Sequence, residues 1–229
     1  MPEALIGRHG ELAALARFLD SVVLGTRAAV IEGTSGVGKT ALWLAARDDA
    51  TARGFRVLTA RPVEAETAFS FAALGDLLTD VLGPVLPALP TPQRRALSVA
   101  LLREAPGDQP LEHRAVAVAT LTALRVLSQS SPVVVAVDDA QWLDAPTARV
   151  LSFLVRRLHA EPVGLLVSRR DGETAELPLA LDRALSPERV TRVPVGGLSL
   201  GAVHVLLRDR LATVLPRPTL RRVHDVAGG

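Results

Sequence analysis

Short apolar runs alternate with amphipathic stretches along the 229 residues of this chain. A continuous run rich in β-branched side chains predicts a strand buried on both faces of a parallel sheet, whereas apolar residues three and four positions apart predict a helix with one buried face. Because the two patterns alternate, we expect an α/β fold in which helices cover both faces of a central parallel sheet. The predicted strands are Ala28 to Glu32, Arg56 to Ala60, Val133 to Asp138, Val163 to Ser168 and Val190 to Val195.

A long insertion between the second and third strands, residues 67–131, has helical periodicity and is interrupted by prolines. We expect its helices to pack on the sheet or to border a ligand cleft, and we expect Phe69 and Phe71 to lie in the core. The predicted helices of the insertion are Phe69 to Leu82, Pro92 to Arg103 and Leu111 to Ser128.

Beyond Val195-Gly196-Gly197 the pattern is helical only, and Leu198-Ser199 has the character of a helix start. Helices are expected at Ala202 to Leu211 and at Pro218 to Val226. Helices this short do not bury an apolar face by themselves. The chain is therefore expected to comprise one domain over residues 1–197, with the insertion at about 67–131, and the start of a truncated helical lid over residues 198–229.

The segment after the first predicted strand has the spacing G-x-x-x-x-G-K-[ST], which is typical of a loop that wraps the phosphates of a nucleotide. Lys39 is the one lysine of the chain, and its compact ammonium suits a phosphate cradle. Glycines let backbone N–H groups converge on the phosphates, the helix that follows points its N-terminus at them, and the Thr40 hydroxyl can reach Mg²⁺. The predicted nucleotide-binding residues here are Gly33, Thr34, Ser35, Gly36, Val37, Gly38, Lys39, Thr40 and Ala41.

A pair of carboxylates, Asp138 and Asp139, follows the valine-rich third strand. In a nucleotide-binding fold the first such carboxylate holds magnesium and the second can orient or deprotonate the attacking water. We therefore assign Asp138, with Thr40, to the metal, and Asp139 to catalysis. The alternative is a solvated pair that caps the strand. Aspartate at position 139 is one methylene shorter than the glutamate common in fast ATPases.

The fourth predicted strand ends in Ser168-Arg169-Arg170, a position that suits a sensor of the γ-phosphate. A guanidinium there would make contacts that exist with a triphosphate and vanish with a diphosphate, which gives a switch its differential binding energy. We prefer Arg170 to Arg169 and assign it a catalytic role beside Lys39. The alternative is an exposed basic turn before Asp171-Gly172.

Composition excludes several classes of function. The absence of cysteine excludes disulfides and thiolate metal sites. No leader is evident at Met1 to Arg8, and no uncharged apolar run reaches the roughly 18 residues of a membrane helix, so we expect a cytoplasmic protein without membrane contact. The pI of 10.2 accompanies a net charge of only +2, because a chain with one lysine and no tyrosine has little to deprotonate at high pH. No direct contact with nucleic acid is expected.

These motifs together resemble the N-terminal ATPase module of large LuxR-type transcriptional regulators, which belongs to the signal-transduction ATPases with numerous domains (STAND), relatives of the AAA+ group. The resemblance rests on four segments and covers nearly the whole chain: Leu5-Ile6-Gly7-Arg8-His9-Gly10-Glu11, the phosphate loop, Val137-Asp138-Asp139-Ala140-Gln141-Trp142-Leu143-Asp144 and Val226-Ala227-Gly228-Gly229. It implies a three-layer P-loop NTPase fold of the STAND type, contacts of Ile6, Gly7 and Arg8 with the adenine base, and a structural role for Trp142.

This resemblance also implies downstream domains in a parent protein, among them a DNA-reading helix-turn-helix, and self-association in the ATP state. His9-Gly10 departs from the acidic residue that often follows the arginine of the family pattern. The expected function is an ATP-binding switch domain that uses Mg²⁺ and hydrolyses ATP slowly, ATP being favoured over GTP because no N-K-x-D element occurs. Two alternatives stay open: a kinase that transfers phosphate to a small acceptor, and a module that binds ATP or ADP without turnover.

Overall fold

A computed structural model describes residues 5–107, 111–171 and 177–228. The first residues of the chain, Gly172 of the predicted turn and the final Gly229 lie outside these ranges. Within them the strands are β1 Arg27–Gly33, β2 Arg56–Ala60, β3 Val133–Val137, β4 Val163–Arg170 and β5 Val190–Pro194. The helices there are α1 His9–Val22, α2 Lys39–Ala52, α3 Ala72–Leu78, α4 Leu82–Val85, α5 Thr91–Ala100, α6 His113–Ser128, α7 Ala145–Val155, α8 Leu181–Ala184, α9 Leu200–Leu211 and α10 Arg217–Ala227.

The five strands form one parallel sheet in the order β2-β3-β4-β1-β5. Strand β4 therefore lies between β1 and β3, which are distant from each other in the sequence. Since all strands run in the same direction, the loops at their carboxyl ends meet at one edge of the sheet. The phosphate loop after β1 and the aspartate pair after β3 both lie at this edge.

Helices cover both faces of the sheet, which explains why every residue of β3 is buried. Successive side chains of a strand point to opposite faces. Accordingly Val133, Val135 and Val137 join the core under the helices of the insertion, whereas Val134 and Ala136 join the core under α1 and α2. The predicted three-layer α/β fold is confirmed. None of the helices in the described ranges combines the length and apolar character that a membrane crossing requires.

The helical insertion differs from its prediction at the start. A single helix from Phe69 to Leu82 was expected, but α3 begins only at Ala72, and α4 is a separate short helix. Phe71 has a left-handed backbone, φ 62°, and its N–H donates to a carboxylate oxygen of Asp144 instead of entering a helix. Phe71 is buried, as expected, but the prediction for Phe69 is wrong, because its side chain is 63% exposed.

The other predicted boundaries differ from the structure by a few residues. Strand β4 continues past Ser168 to Arg170, because Glu32 and Gly33 of β1 extend the ladder opposite Arg169 and Arg170. Strands β3 and β5 each end one residue before the prediction. The Ser199 hydroxyl accepts from the N–H of Ala202 and so caps α9, as the sequence predicted. The division into a domain and a lid stays a prediction.

Candidate nucleotide-binding site

The phosphate loop, residues 33–40, connects β1 to α2. Gly36 and Gly38 have φ of 79° and 101°, a left-handed conformation that favours glycine, although a Cβ at either position would meet no atom within 4 Å. Gly33 is required for a different reason. A Cβ there would lie 2.5 Å from the carbonyl oxygen of Val195, just after β5. The loop is thus shaped by backbone conformation at its tip and by close packing at its base.

Lys39 lies at the start of α2 and is buried, with 6% of its surface exposed. Its ammonium donates to the carbonyl oxygens of Gly33, at 2.9 Å, and Thr34, at 2.8 Å. Burial lowers the pKa of Lys39, and the charge of Arg170 lowers it further, against the opposing effects of Asp139, Asp171 and Asp138. The predicted lysine, carboxylates and Arg170 therefore share one electrostatic environment.

Asp138 is 3% exposed at the end of β3. The hydroxyl of Ser168, on the adjacent strand β4, donates to its Oδ1 at 2.5 Å and accepts from the N–H of Asp139 at 2.8 Å. The guanidinium of Arg61 lies 3.7 Å from the other oxygen of Asp138. Sequence reasoning missed both Ser168 and Arg61 as site residues. Ser168 lies near the carboxyl end of β4 and Arg61 directly follows β2, but these positions indicate site residues only once the strand order is known.

Asp139 also has a left-handed backbone, with φ 50° and ψ 54°. Its Oδ1 accepts from the side-chain amide of Gln141 at 2.8 Å. The oxygen of the same amide accepts weakly from the N–H of Arg170 at 3.4 Å. Gln141, which sequence reasoning also missed as a site residue, therefore connects the second aspartate to the end of β4.

The two arginines at the end of β4 differ in their surroundings. Arg169 is largely buried and pairs with Glu32 at 2.9 Å. Arg170 is exposed, with its guanidinium 5.8 Å from the centre of the Trp142 ring, and its charge acts on Lys39. The choice of Arg170 over Arg169 as the sensor, and its catalytic role, stay predictions.

The N-terminal segment lies against the phosphate loop. Arg8 is 7% exposed and donates to the carbonyl oxygen of Val37 in the loop at 2.8 Å and to Glu11 at 2.9 Å. A Cβ on Gly7 would lie 2.7 Å from the Cβ of Ala202 in α9. Gly7 and Arg8 thus lie between the phosphate loop and α9, and Ile6 directly precedes them in the sequence. Their predicted contacts with adenine stay a prediction.

The residues at this edge of the sheet fit a magnesium-bound triphosphate. Loop glycines with left-handed backbone leave open space where a Cβ would stand, and the Lys39 ammonium lies at the base of the loop. The Thr40 hydroxyl makes no hydrogen bond to any residue in the described part of the chain. Together with the Asp138 carboxylate it offers the hard oxygen ligands that Mg²⁺ prefers.

Solved structures with similar folds include AMPPCP-bound DnaA from Aquifex aeolicus, with 15% identity over 95% of this chain and 55% of that one, TM-score 0.48. A second is the ORC2 protein of Aeropyrum pernix in ADPNP-ADP complexes, with 20% identity over 90% and 51%, TM-score 0.48. A third is a STAND protein with a tetratricopeptide repeat sensor from Pyrococcus horikoshii, with 15% identity over 93% and 28%, TM-score 0.44. The present chain spans about half of the first two proteins and less of the third.

A comparison with curated proteins gives no match. A family model described as "AAA ATPase domain" matches residues 4–168, from the segment before α1 to the Ser168 that bonds Asp138. The matched range includes the phosphate loop and both aspartates, and it is well over half of the sequence. The chain therefore belongs to the AAA ATPase domain family.

Proposed function

We propose that this chain is an ATP-binding switch domain that hydrolyses ATP slowly, in a multidomain transcriptional regulator of the LuxR type. The observation that carries the nucleotide-binding part is the meeting of the phosphate loop, Lys39 and the Asp138-Asp139 pair at one edge of the sheet. The regulator part rests on the sequence resemblance alone. ATP is preferred over GTP because the chain lacks an N-K-x-D element.

Each residue has a distinct role in this proposal. The backbone N–H groups of the loop would bind phosphate oxygens, and Lys39 would exchange its two carbonyl partners for them. Thr40 and Asp138 would hold Mg²⁺, which supplies neutralising charge across the terminal phosphates. Asp139 would orient the attacking water, with one of its oxygens fixed by Gln141. Arg170 would contact the γ-phosphate and so distinguish ATP from ADP.

Binding without turnover is the second candidate function, and a specific observation favours it. Asp139 has a short side chain, and one of its oxygens is already bonded to Gln141, which restricts its reach toward a water. In either case the cytoplasm, downstream domains of the same chain and self-association in the ATP state are the proposed context. We expect no direct contact of these residues with nucleic acid.

A titration with ATP and Mg²⁺ tests the site. Lys39→Ala should weaken binding by roughly 100-fold or more, because a hydrogen bond to a charged group contributes about 1.5–3 kcal/mol and the phosphate charge also loses its counter-charge. Arg94→Ala, which removes an exposed cation from α5, is the matched control and should bind as the wild type does. Wild-type affinity in Lys39→Ala would refute the site assignment.

Phosphate release separates the alternatives. If Asp139 activates the water, Asp139→Asn should reduce turnover by roughly 10²–10⁴-fold at unchanged ATP affinity. If neither the wild type nor Asp139→Asn releases phosphate, the result favours a module that binds nucleotide without turnover. ADP formation that depends on an added small acceptor would instead favour the kinase.

A further inference from the structure

A groove lies between α6 and α7, on the face of the sheet opposite α1 and α2. Its volume is about 620 Å³. The first turns of both helices contribute to one end, and the rest of the groove follows the outer side of α7. The charged and aromatic side chains that line it are His113, Arg114, Arg149, Phe153, Arg156 and Arg157.

The four arginines of this groove have no acidic partner in the described part of the chain. No carboxylate in the described ranges lies within ion-pairing distance of any of them, whereas the nearby Arg125 pairs with Glu161 at 2.7 Å. Residues 145–157 include three of these arginines and no acidic residue. The formal net charge of the whole chain is only +2, so positive charge is concentrated in this groove relative to the rest of the protein.

The spacing of the groove residues is regular. Arg149 lies on α7, and Arg156, seven positions later, is the residue after its end and keeps a helical backbone, so the two are separated by about 10.5 Å along the helix axis. Phe153 lies between them on the same side of α7, because it is four residues from Arg149 and three from Arg156. Its ring is partly buried, and the guanidinium of Arg157 lies 3.6 Å from the ring centre.

We propose that this cationic groove docks an acidic amphipathic helix of a partner protein. Two carboxylates seven residues apart on that helix would pair with Arg149 and Arg156. An apolar side chain between them would contact the methylene groups of Arg157, which lies over the ring of Phe153. Unpaired guanidiniums form charge-assisted, often bidentate hydrogen bonds with carboxylates. The groove thus complements the helix in charge and in spacing, as in the general mode in which an amphipathic helix binds a groove.

Two other occupants suit the groove less well. Single-stranded nucleic acid binds through bases stacked on exposed aromatic rings, but Arg157 covers the ring of Phe153. A helix from a second copy of this chain would need acidic residues seven apart, and no helix in the described ranges has such a pair. The described helices of this chain therefore do not supply the occupant, and we commit the proposal to a helix of a partner protein.

Fluorescence anisotropy with a labelled synthetic helical peptide tests this proposal. The probe carries two glutamates seven residues apart with a leucine between them. We expect saturable binding that weakens as salt rises from about 50 to about 500 mM, since the contacts are largely electrostatic. Replacing both glutamates by glutamine should abolish it. The double variant Arg149→Ala/Arg156→Ala should bind the acidic peptide at least about 10-fold more weakly.

The control removes an equal number of exposed arginines elsewhere, as Arg221→Ala/Arg222→Ala in α10, and should bind as the wild type does. Neither double variant touches the phosphate loop, so ATP affinity and the thermal unfolding midpoint should stay unchanged in both. The proposal is overturned if the acidic peptide does not bind at low salt, or if Arg149→Ala/Arg156→Ala binds it as tightly as the wild type. Tighter binding of a single-stranded or duplex oligonucleotide that depends on the same two arginines would also overturn it.

Discussion

The carboxylate of Asp144 makes an unusual number of buried backbone contacts. It is 2% exposed and accepts from the N–H of Thr147, so that it caps α7. Its Oδ1 also accepts from the N–H of Phe71 at 2.9 Å, and its Oδ2 accepts from the N–H of Ala73 at 3.2 Å. One side chain thus holds the start of α3 against the start of α7. We expect Asp144→Ala to be strongly destabilising.

The magnitude follows from these three bonds. A buried donor left without a partner costs about 1–3 kcal/mol, and loss of a helix cap costs about 1 kcal/mol. Allowing for water that enters the space left by the carboxylate, we expect Asp144→Ala to lower the free energy of unfolding by about 3–6 kcal/mol. A domain of this kind has about 5–15 kcal/mol in total, so the variant should lose a large share of its stability.

Urea unfolding monitored by circular dichroism measures this loss. Asp144→Asn is informative, because its one remaining oxygen can keep the bonds to Phe71 and Thr147 while its amide nitrogen faces the N–H of Ala73. About half of the alanine effect is therefore expected. Asp80→Ala removes an exposed carboxylate after α3 and should change stability by no more than about 0.5 kcal/mol. A loss below about 1 kcal/mol in Asp144→Ala would refute the assigned role.

Two further predictions concern the phosphate loop. Gly33→Ala places a Cβ 2.5 Å from the backbone oxygen of Val195, which cannot yield easily, so we expect a loss of about 1–3 kcal/mol in stability and weaker ATP binding in the same titration. Gly10→Ala in α1, where a Cβ meets nothing within 4 Å, is its control and should bind ATP normally; equal behaviour of the two variants would contradict the packing argument. Burial lowers the pKa of Lys39 in the folded protein. Between that lowered pKa and pH 10.5 the unfolded chain therefore binds more protons than the folded one. The free energy of unfolding of the wild type should accordingly rise with pH over this interval, relative to that of Lys39→Met. Urea unfolding at several pH values measures this difference, and a difference that is constant up to pH 10.5 would show that Lys39 is not perturbed.

Several features of this protein could be predicted from the sequence because they are local. The strands of the sheet stand out as runs of β-branched residues, and the phosphate loop and the Asp138-Asp139 pair each follow such a run. The cap at Ser199 is likewise a signal contained in a few neighbouring residues. Each of these features is determined by residues that are close together in the sequence, so hydrophobic periodicity and residue spacing are sufficient to find it.

The tertiary structure alone decided which elements are neighbours. Hydrophobic periodicity tells which face of a strand is buried, but not which strand lies beside it. Because β4 inserts between β1 and β3, Ser168 reaches Asp138, 30 positions away in the sequence. Likewise the carboxylate of Asp144 accepts from the N–H of Phe71, 73 positions away. Because this N–H is bonded outside the helix, α3 begins at Ala72 and not at the predicted Phe69. Polar contacts over such separations follow from strand order and helix packing, which are properties of the whole fold and leave no periodic signal in the sequence.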